Sequence, residues 1–194
     1  MPFNHQQSFR LILASGSPRR RELLAGMGYT FDILVPDVDE HVSGHARDVV
    51  GILSRRKAEA AAQQLDSGIV IASDTLVSLN GQALGKPADE ADAFHMLRTL
   101  SANTHEVFTG VTLMDAADGR NETRVARTGV RFRSLSDEEI EAYIRTGEPM
   151  DKAGAYGIQG GAGAFVEELD GSFENVMGFP VDVIQDMLSH FIQK

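Results

Sequence analysis

A short apolar segment that passes through a turn of small residues into a helix constrains the fold of this chain most strongly. Residues 10–14 have the composition of a buried strand. Pro18 favours a helix that begins there, because its fixed φ and missing N–H suit the first helical position. Gly28 is suited to end that helix in a left-handed conformation. A strand followed directly by a helix predicts an α/β fold.

The side chains around this turn suit a bound phosphate. A helix N-terminus offers free N–H groups and the positive end of the helix dipole. Ser15 and Ser17 add hydroxyl donors, and Arg19, Arg20 and Arg21 add positive charge. The local pattern leaves two interpretations open: a phosphate-binding turn, or an ordinary junction in which a serine caps the helix and the arginines face solvent.

The composition is that of one folded domain. The chain has 194 residues, 42% of them hydrophobic, and no apolar run approaches the roughly 20 residues that cross a bilayer. We expect an N-terminal extension over residues 1–9, a single domain over residues 10–194, and no membrane contact. Cysteine is absent, which excludes disulfides and thiol nucleophiles, and no secretory signal is visible, so we expect a cytoplasmic protein.

The charge distribution favours a small anionic ligand over a nucleic acid. The net charge is −10, whereas a nucleic-acid-binding protein presents a basic face. Cations are nevertheless concentrated locally, at Arg19 to Arg21, Arg55 to Lys57, Lys86 and Lys152. A few positive clusters on an acidic background predict a pocket for a polyphosphate.

Hydrophobic periodicity and turn residues predict a mixed sheet flanked by helices. Helices and strands alternate in the first half, and paired strands dominate later. We predict strands over residues 10–14, 31–35, 68–79, 106–115 and 122–133, helices over 18–27, 46–65, 89–100 and 136–145, and hairpin turns at 80–81 and 170–171. The last helix carries Ile184, Met187, Leu188 and Phe191 at helical spacing.

Two charged residues occupy positions where apolar residues are expected. Lys57 continues the helical line of Val49 and Leu53, so its ammonium either extends to solvent along the apolar face or points into a cleft. Asp74 lies within a buried strand, where an unpaired carboxylate is costly. It is either a bulge residue paired with a helix N-terminus or a group that lines a ligand crevice.

Three further segments carry polar groups suited to a nucleotide. Asp37, Asp39 and Glu40 form an acidic loop, which is solvated by itself but could hold a hard divalent ion if Asp74 lies near. Lys86 follows a glycine and precedes a proline, which fixes its backbone. The glycine-rich segment 151–160 adds Lys152 and Gln159, whose amide can both donate to and accept from the edge of a base.

Taken in order, these segments resemble the Maf family of nucleoside triphosphate pyrophosphatases. The resemblance covers nearly the whole chain after residue 9, and the ordered set is highly specific although each segment alone is weak. The matching segments are Ala14 to Arg20, Asp39-Glu40, Lys57-Ala58, Ser73 to Thr75, Gly85 to Pro87, Thr109-Gly110 and Asp151 to Gly160.

The resemblance implies an α/β fold related to inosine triphosphatase, with two lobes, a central cleft and commonly a homodimer. It implies cleavage between the α and β phosphates of a nucleoside triphosphate, with Mg²⁺ or Mn²⁺. Asp74 then corresponds to the general base, and Arg19, Thr75 and Gln159 to the positions that set nucleotide preference. The Gly-Ile-Gln-Gly sequence at 157–160 resembles the branch that acts on dTTP and UTP.

The residues and the resemblance together give a mechanistic hypothesis. Ser15, Arg19 and Arg20 hold the triphosphate, and Lys57, Lys86 and Lys152 offset its charge. Glu40 and Asp74 hold a divalent ion, and Asp74 deprotonates the attacking water. The alternative is a non-catalytic nucleotide sensor that regulates cell division, which predicts binding without pyrophosphate release. A P-loop NTPase is disfavoured because the chain has no Gly-x-x-x-x-Gly-Lys-Ser/Thr sequence.

Overall fold

The computed structural model describes residues 7–192 and contains one seven-stranded mixed sheet. The strands are β1 (Leu11–Leu13), β2 (Asp32–Ile33), β3 (Ile69–Leu79), β4 (Gln82–Leu84), β5 (Thr104–Asp115), β6 (Asn121–Phe132) and β7 (Val166–Asp170). Strand β1 lies between β2 and β3 and is parallel to both, and the strands from β3 through β5 and β6 to β7 are antiparallel. Strand β4 pairs only with β3.

Within residues 7–192, six helices flank this sheet, which confirms the predicted mixed α/β architecture. They are α1 (Pro18–Gly26), α2 (Ala46–Ala62), α3 (Glu90–Leu100), α4 (Asp137–Ile144), α5 (Phe173–Val176) and α6 (Val181–Phe191). Three short 3₁₀ turns lie within or next to the glycine-rich segment: Glu148–Asp151, Ala153–Ala155 and Gly161–Phe165. None of the helices within residues 7–192 combines the length and apolar character that a membrane crossing requires.

Local sequence signals fix several of these boundaries. Asn80 and Gly81 have φ of 52° and 82°, the positive values that a tight two-residue hairpin needs between β3 and β4. Ser136 and Glu139 form the predicted capping box at the start of α4. Gly28 has a φ of 86° just after α1, as predicted for the residue that ends that helix.

The two faces of the sheet are covered differently. Helix α2 packs on one face, where Val70 and Ala72 of β3 contact Ala58 and Ala61 of the helix. The opposite face carries two separate apolar clusters. One contains α1, α6 and the first half of β3; the other contains α3, α4 and the end of β3. These clusters correspond to the two predicted lobes.

A polar seam divides the two clusters in the middle of β3. Alternate residues of a strand point to the same face, so Ser73 and Thr75 lie between Ile71 of one cluster and Val77 of the other. Thr109 of β5 pairs with Thr75 and extends the seam across the sheet. The seam places buried hydroxyl groups at the centre of an otherwise apolar face.

The predicted hairpin at residues 170–171 was wrong. Gly171 does turn the chain with a φ of 134°, but no strand follows, because Ser172 caps α5 by accepting the Asn175 N–H at 3.2 Å. Residues 7–9 of the predicted N-terminal extension lie against the domain, with the Gln7 amide donating to the Thr30 carbonyl at 2.8 Å. Residues 1–6 lie outside the described part of the chain.

Candidate active site

The turn before α1 holds its two serines in different ways. Ser15 is buried, and its Oγ accepts the backbone N–H of Ser17 at 3.2 Å. Ser17 occupies the N-cap position with extended backbone, but its side chain makes no capping bond. Ser17 instead lines the cleft described below. The interpretation of this turn as an ordinary serine-capped junction was therefore wrong.

Arg20 is directed into the protein, toward the strand that carries Asp74. Its Nη1 donates to the Ser73 carbonyl at 2.8 Å, and its Nε donates to the Gly178 carbonyl at 3.0 Å. Two weaker bonds at 3.3 Å reach the hydroxyls of Ser15 and Thr75. Burial lowers the pKa of Arg20, an effect that the nearby Asp74 opposes. The guanidinium thus ties α1, β3 and the turn before α6 together.

A directional chain of hydroxyl groups continues from Arg20 across the seam. The Thr109 hydroxyl donates to the Asn175 carbonyl at 3.1 Å, which uses its single proton. The bond of 2.9 Å between Thr75 and Thr109 must therefore have Thr75 as the donor. Because the Thr75 proton is used inside the protein, its remaining capacity toward a ligand is as an acceptor.

Lys57 lies between two carboxylates from different parts of the chain. Its Nζ is 2.7 Å from Oδ1 of Asp74 and 2.7 Å from Oε1 of Glu40. The Lys57 and Asp74 side chains are only 14% and 12% exposed, whereas Glu40 is 60% exposed. The hydrogen bond from Lys57 lowers the pKa of Glu40. The ammonium thus points into the cleft and does not extend to solvent.

Helix α2 lies close enough to the sheet for Lys57 to reach Asp74, because the residue of β5 that faces the helix is a glycine. Gly110 pairs with Asp74 in the sheet, and a Cβ at Gly110 would overlap the Val50 carbonyl oxygen. The helix backbone therefore lies directly on the strand at this point. Asp39, in contrast, is turned away from the cleft, where its Oδ1 bonds with Nδ1 of His41 at 2.8 Å.

These groups line one cleft of about 420 Å³, a size typical of small-ligand sites. It brings together most of the predicted site residues, from α1, α2, β3 and the three loops that carry Glu40, Lys86 and Lys152. Its cations outnumber its carboxylates, five to three, although the whole chain has a net charge of −10. The charged residues are Arg19, Arg20, Lys57, Lys86 and Lys152, opposed by Glu40, Asp74 and Asp151.

Lys86 and Lys152 approach the cleft from the lobe that contains α3 and α4. Lys152 is 13% exposed, and its Nζ donates to the Glu148 carbonyl at 2.7 Å and to Asp151 at 2.6 Å. The hydrogen bond from Lys152 lowers the pKa of Asp151. The loop of Lys86 is joined to the same region, since the Gly154 N–H donates to the Gly85 carbonyl at 3.0 Å.

A second cavity of about 590 Å³ adjoins the first and contains Gln159. The two cavities share Ser17, Arg19, Lys86, Asp151 and Lys152. Gln159 is exposed at this end, and Asp74 lies at the other. The arrangement forms an elongated site with a charged end that suits phosphates and a glutamine amide at the opposite end.

Comparison with known proteins identifies the family to which this chain belongs. The sequence profile described as Maf-like protein matches residues 10–191. This chain belongs to the Maf family. It is 47% identical to the dTTP/UTP pyrophosphatase of Bdellovibrio bacteriovorus over 188 residues, which cover 93% of this chain and 98% of that protein. It is 48% identical to the dTTP/UTP pyrophosphatase of Thermococcus gammatolerans over 174 residues, 90% of this chain and 92% of that protein.

Sequence reasoning missed two residues that shape the glutamine end of the Maf cleft. Glu148 lines the second cavity, and its carboxylate contacts both Tyr143 and the backbone of Gly161. Neither side chain lies within a recognisable motif of its own. The sequence carries only an indirect signal for Glu148. A glycine-rich loop needs a fixed surface to pack on, and Glu148 is the last carboxylate before the glycine-rich segment 151–160.

The carboxylates of the Maf cleft fit a magnesium ion bound together with substrate. Mg²⁺ is usually held by one or two carboxylates plus phosphate oxygens and waters. Glu40 and Asp74 each place one carboxylate oxygen 2.7 Å from Lys57 Nζ, so the ammonium occupies the point between them and an ion would bind beside it. No set of three or more acidic, histidine or cysteine side chains within residues 7–192 forms a complete metal site, so the remaining ligands would come from the nucleotide and solvent.

Proposed function

We propose that this chain hydrolyses dTTP and UTP to the nucleoside monophosphate and pyrophosphate. The proposal follows the activity for which its relatives are named, since this chain matches dTTP/UTP pyrophosphatases over nearly their whole length. The observation that carries it is the junction of the two cavities. A carboxylate surrounded by cations lies at one end and a glutamine amide at the other.

The cations of the cleft bind the triphosphate and stabilise the leaving group. Arg19, Lys86 and Lys152 line the passage between the cavities, which is where the phosphates of a nucleotide that reaches Gln159 would lie. Negative charge develops on pyrophosphate as the α–β bond breaks, and fixed cations stabilise it without reorganisation. Ser15 and Arg20 contribute mainly by holding the turn and the strand, since their polar atoms bond within the protein.

Asp74 acts as the general base in this proposal. Within residues 7–192 its side-chain hydrogen bond is with Lys57 through Oδ1, which leaves Oδ2 for the attacking water. The carboxylate accepts the proton of that water as its oxygen attacks the α phosphorus. The Lys57 ammonium fixes the orientation of the carboxylate during this transfer, because the Lys57 side chain is itself largely buried.

We propose Mg²⁺ or Mn²⁺ as the cofactor, held by Glu40 and Asp74. When bound, the ion neutralises phosphate charge and orients the substrate. We further propose that the protein works in the cytoplasm, which rests on the lack of cysteine, and that it is a homodimer, which rests on the family resemblance. Size-exclusion chromatography with light scattering measures the oligomeric state directly.

A pyrophosphate-release screen over natural and modified nucleoside triphosphates with Mg²⁺ tests the proposed activity. We expect dTTP and UTP to be preferred, with one monophosphate formed per pyrophosphate. Strong activity on a purine nucleotide alone, such as 7-methyl-GTP, would overturn the assignment of Gln159 to the recognition of dTTP and UTP. Tight nucleotide binding with no pyrophosphate release from any substrate would favour the sensor alternative.

A further inference from the structure

The loop that carries Gln159 needs an external support to hold one conformation. Residues 157–161, here called the glutamine loop, read Gly-Ile-Gln-Gly-Gly. Glycine has more backbone freedom than any other residue, so holding it in one conformation costs more entropy. An amide that reads a base edge must nevertheless be held to within about half an ångström to be selective. Some other part of the structure must therefore supply the order.

Tyr143 and Glu148 hold both ends of the glutamine loop. The backbone N–H of Gly157 donates to the Tyr143 hydroxyl at 3.0 Å. At the other end, the N–H of Gly161 donates to Oε2 of Glu148 at 3.2 Å. The Tyr143 hydroxyl in turn donates to Oε1 of Glu148 at 2.9 Å. One connected pair of side chains therefore fixes the positions on either side of Gln159.

The contact between the glutamine loop and Glu148 requires glycine at positions 157 and 160. A Cβ at Gly160 would overlap the Glu148 carboxylate. A Cβ at Gly157 would lie 2.9 Å from Oε1 of Glu148 and 2.8 Å from Cε of Lys152. The glycines therefore allow the loop backbone to lie directly on the carboxylate, which is a packing requirement as well as a source of flexibility.

The pair is itself rigidly mounted. Tyr143 is 5% exposed on α4, and its ring packs edge-on against Phe165 with centroids 5.3 Å apart. Burial and, to a smaller extent, Glu148 raise the pKa of Tyr143, so its hydroxyl keeps its proton. The Glu148 carbonyl accepts the Lys152 ammonium at 2.7 Å. The same residue thus contacts the glutamine loop and a cation of the phosphate end.

We infer that Tyr143 and Glu148 are positioning residues that set nucleobase selectivity by ordering the glutamine loop around Gln159. The inference rests on the proposed function, in which Gln159 reads the base. It predicts that the pair acts on substrate recognition and leaves the bond-breaking step at Asp74 largely untouched. Glu148 also holds Lys152 through its backbone carbonyl, a contact that a side-chain substitution retains.

The test compares Glu148→Gln and Tyr143→Phe with the full-length wild-type chain. Glu148→Gln keeps the side-chain size but removes the charge and turns an NH₂ toward a donor. Tyr143→Phe removes the hydroxyl that joins Gly157 to Glu148. For each variant, kcat and KM are measured with UTP, dTTP, CTP and GTP. We expect KM for UTP to rise about tenfold, the scale of one lost charged hydrogen bond, while kcat stays within about threefold.

Two matched controls carry the same chemical changes elsewhere. Glu141→Gln alters an exposed residue of α4, whose nearest cationic group is 3.9 Å away on Arg145. Tyr29→Phe removes a hydroxyl that bonds with Gln185 outside the cleft. Both controls should retain wild-type KM and selectivity. If either control raises KM as much as its partner variant, the inference fails.

A double-mutant cycle with Gln159→Ala separates positioning from general stability. If the pair acts through Gln159, Glu148→Gln should cost no further selectivity in the Gln159→Ala background. Fully additive losses of selectivity would overturn the inference. Should Glu148→Gln fail to fold, Gly160→Ala tests the same contact from the loop side, and unchanged KM and selectivity in that variant would overturn it too.

The outcome also separates this inference from the proposed function. A wild-type chain that releases no pyrophosphate contradicts the proposed function itself. A wild-type chain that prefers UTP, with a Tyr143→Phe variant that prefers it equally, leaves that function intact and contradicts only the role of the pair.

Discussion

A single lysine organises the charged end of the cleft. Lys57 Nζ bridges Glu40 and Asp74, which are distant in sequence, and the buried Asp74 would be costly without it. The guanidinium of Arg20, in the first turn of α1, has a different role: it donates to the Ser73 and Gly178 carbonyls on either side of the site. Charge at this site therefore serves both ligand binding and the positioning of other groups.

Replacing the proposed base should abolish most turnover while leaving the fold intact. Asp74→Asn keeps the shape of the side chain and can still bond with Lys57, but it cannot accept the water proton. We expect kcat for UTP to fall on the order of 10²–10⁴-fold. Asp66→Asn, at an exposed loop position, is the matched control and should retain full kcat. An Asp74→Asn variant with near-normal turnover would remove the assignment.

Adjacent arginines should respond differently to the same substitution. Arg20→Lys cannot reproduce the fork of bonds to Ser73 and Gly178, so we expect the free energy of unfolding to drop by about 1–3 kcal/mol. Arg19→Lys keeps the charge that lines the cleft, so KM for UTP should rise modestly with no change in stability. Urea denaturation and steady-state kinetics on both variants check this contrast. Equal stability losses would contradict it.

At the scale of elements, the site depends on how closely α2 lies on the sheet. The helix covers β3 and β5 with small residues, Ala58 and Ala61, at its contacts with β3. Gly110 lets the helix backbone reach β5 beside Asp74. A small residue opposite a helix is thus what allows Lys57 and Asp74 to lie 2.7 Å apart.

Gly110→Ala should damage both stability and activity. The added methyl overlaps the Val50 carbonyl, so the helix must shift away, and we expect a loss of about 1–3 kcal/mol in the free energy of unfolding. Because the shift moves Lys57, kcat should fall as well. Gly26→Ala is the control: a Cβ there meets nothing within 4 Å, and alanine favours the helix by about 0.5–1 kcal/mol. A Gly110→Ala variant of wild-type stability would contradict the close approach.

At the scale of the whole molecule, a buried histidine in the lobe with α3 and α4 makes the stability of the fold sensitive to acid. His105 is 1% exposed among aromatic rings, with its Nε2 2.8 Å from the Tyr156 hydroxyl. Burial lowers its pKa from 6.5 to about 4. The unfolded chain therefore takes up a proton near pH 6.5 that the folded protein does not accept until about pH 4.

Stability should decline as the pH falls from about 6.5 toward 4. Each pKa unit is worth about 1.4 kcal/mol, so the full loss approaches about 3 kcal/mol at the acid end. The interval from pH 6.5 to 5 isolates the histidine, because carboxylates with lowered pKa, such as Glu40 and Glu139, act at lower pH. Urea denaturation across this interval should show the decline in the wild type and a flat profile in His105→Phe. The exposed His190→Gln control should keep the decline.

The sequence predicted the elements and the motif residues of the site, but not their connections. The helix at Pro18, the hairpin at Asn80-Gly81 and the capping box at Ser136 depend on neighbours within a few residues, and all three were confirmed. The predicted hairpin at Gly171 was wrong because Ser172 caps α5, so a helix follows β7 in place of a second strand. The roles assigned to individual site residues stay predictions until the variants above are measured.

Local sequence therefore determined most of the helices and strands, the fold class, and which charges were too costly to lie in an apolar core without a purpose. Only the tertiary structure decided which groups meet: Lys57 with Asp74 and Glu40, Arg20 with the backbone of β3, and Glu148 with the glutamine loop. The physical reason is range. Backbone conformation and burial preference act between near neighbours, whereas a contact between distant residues is fixed only when the whole sheet and its helices pack together.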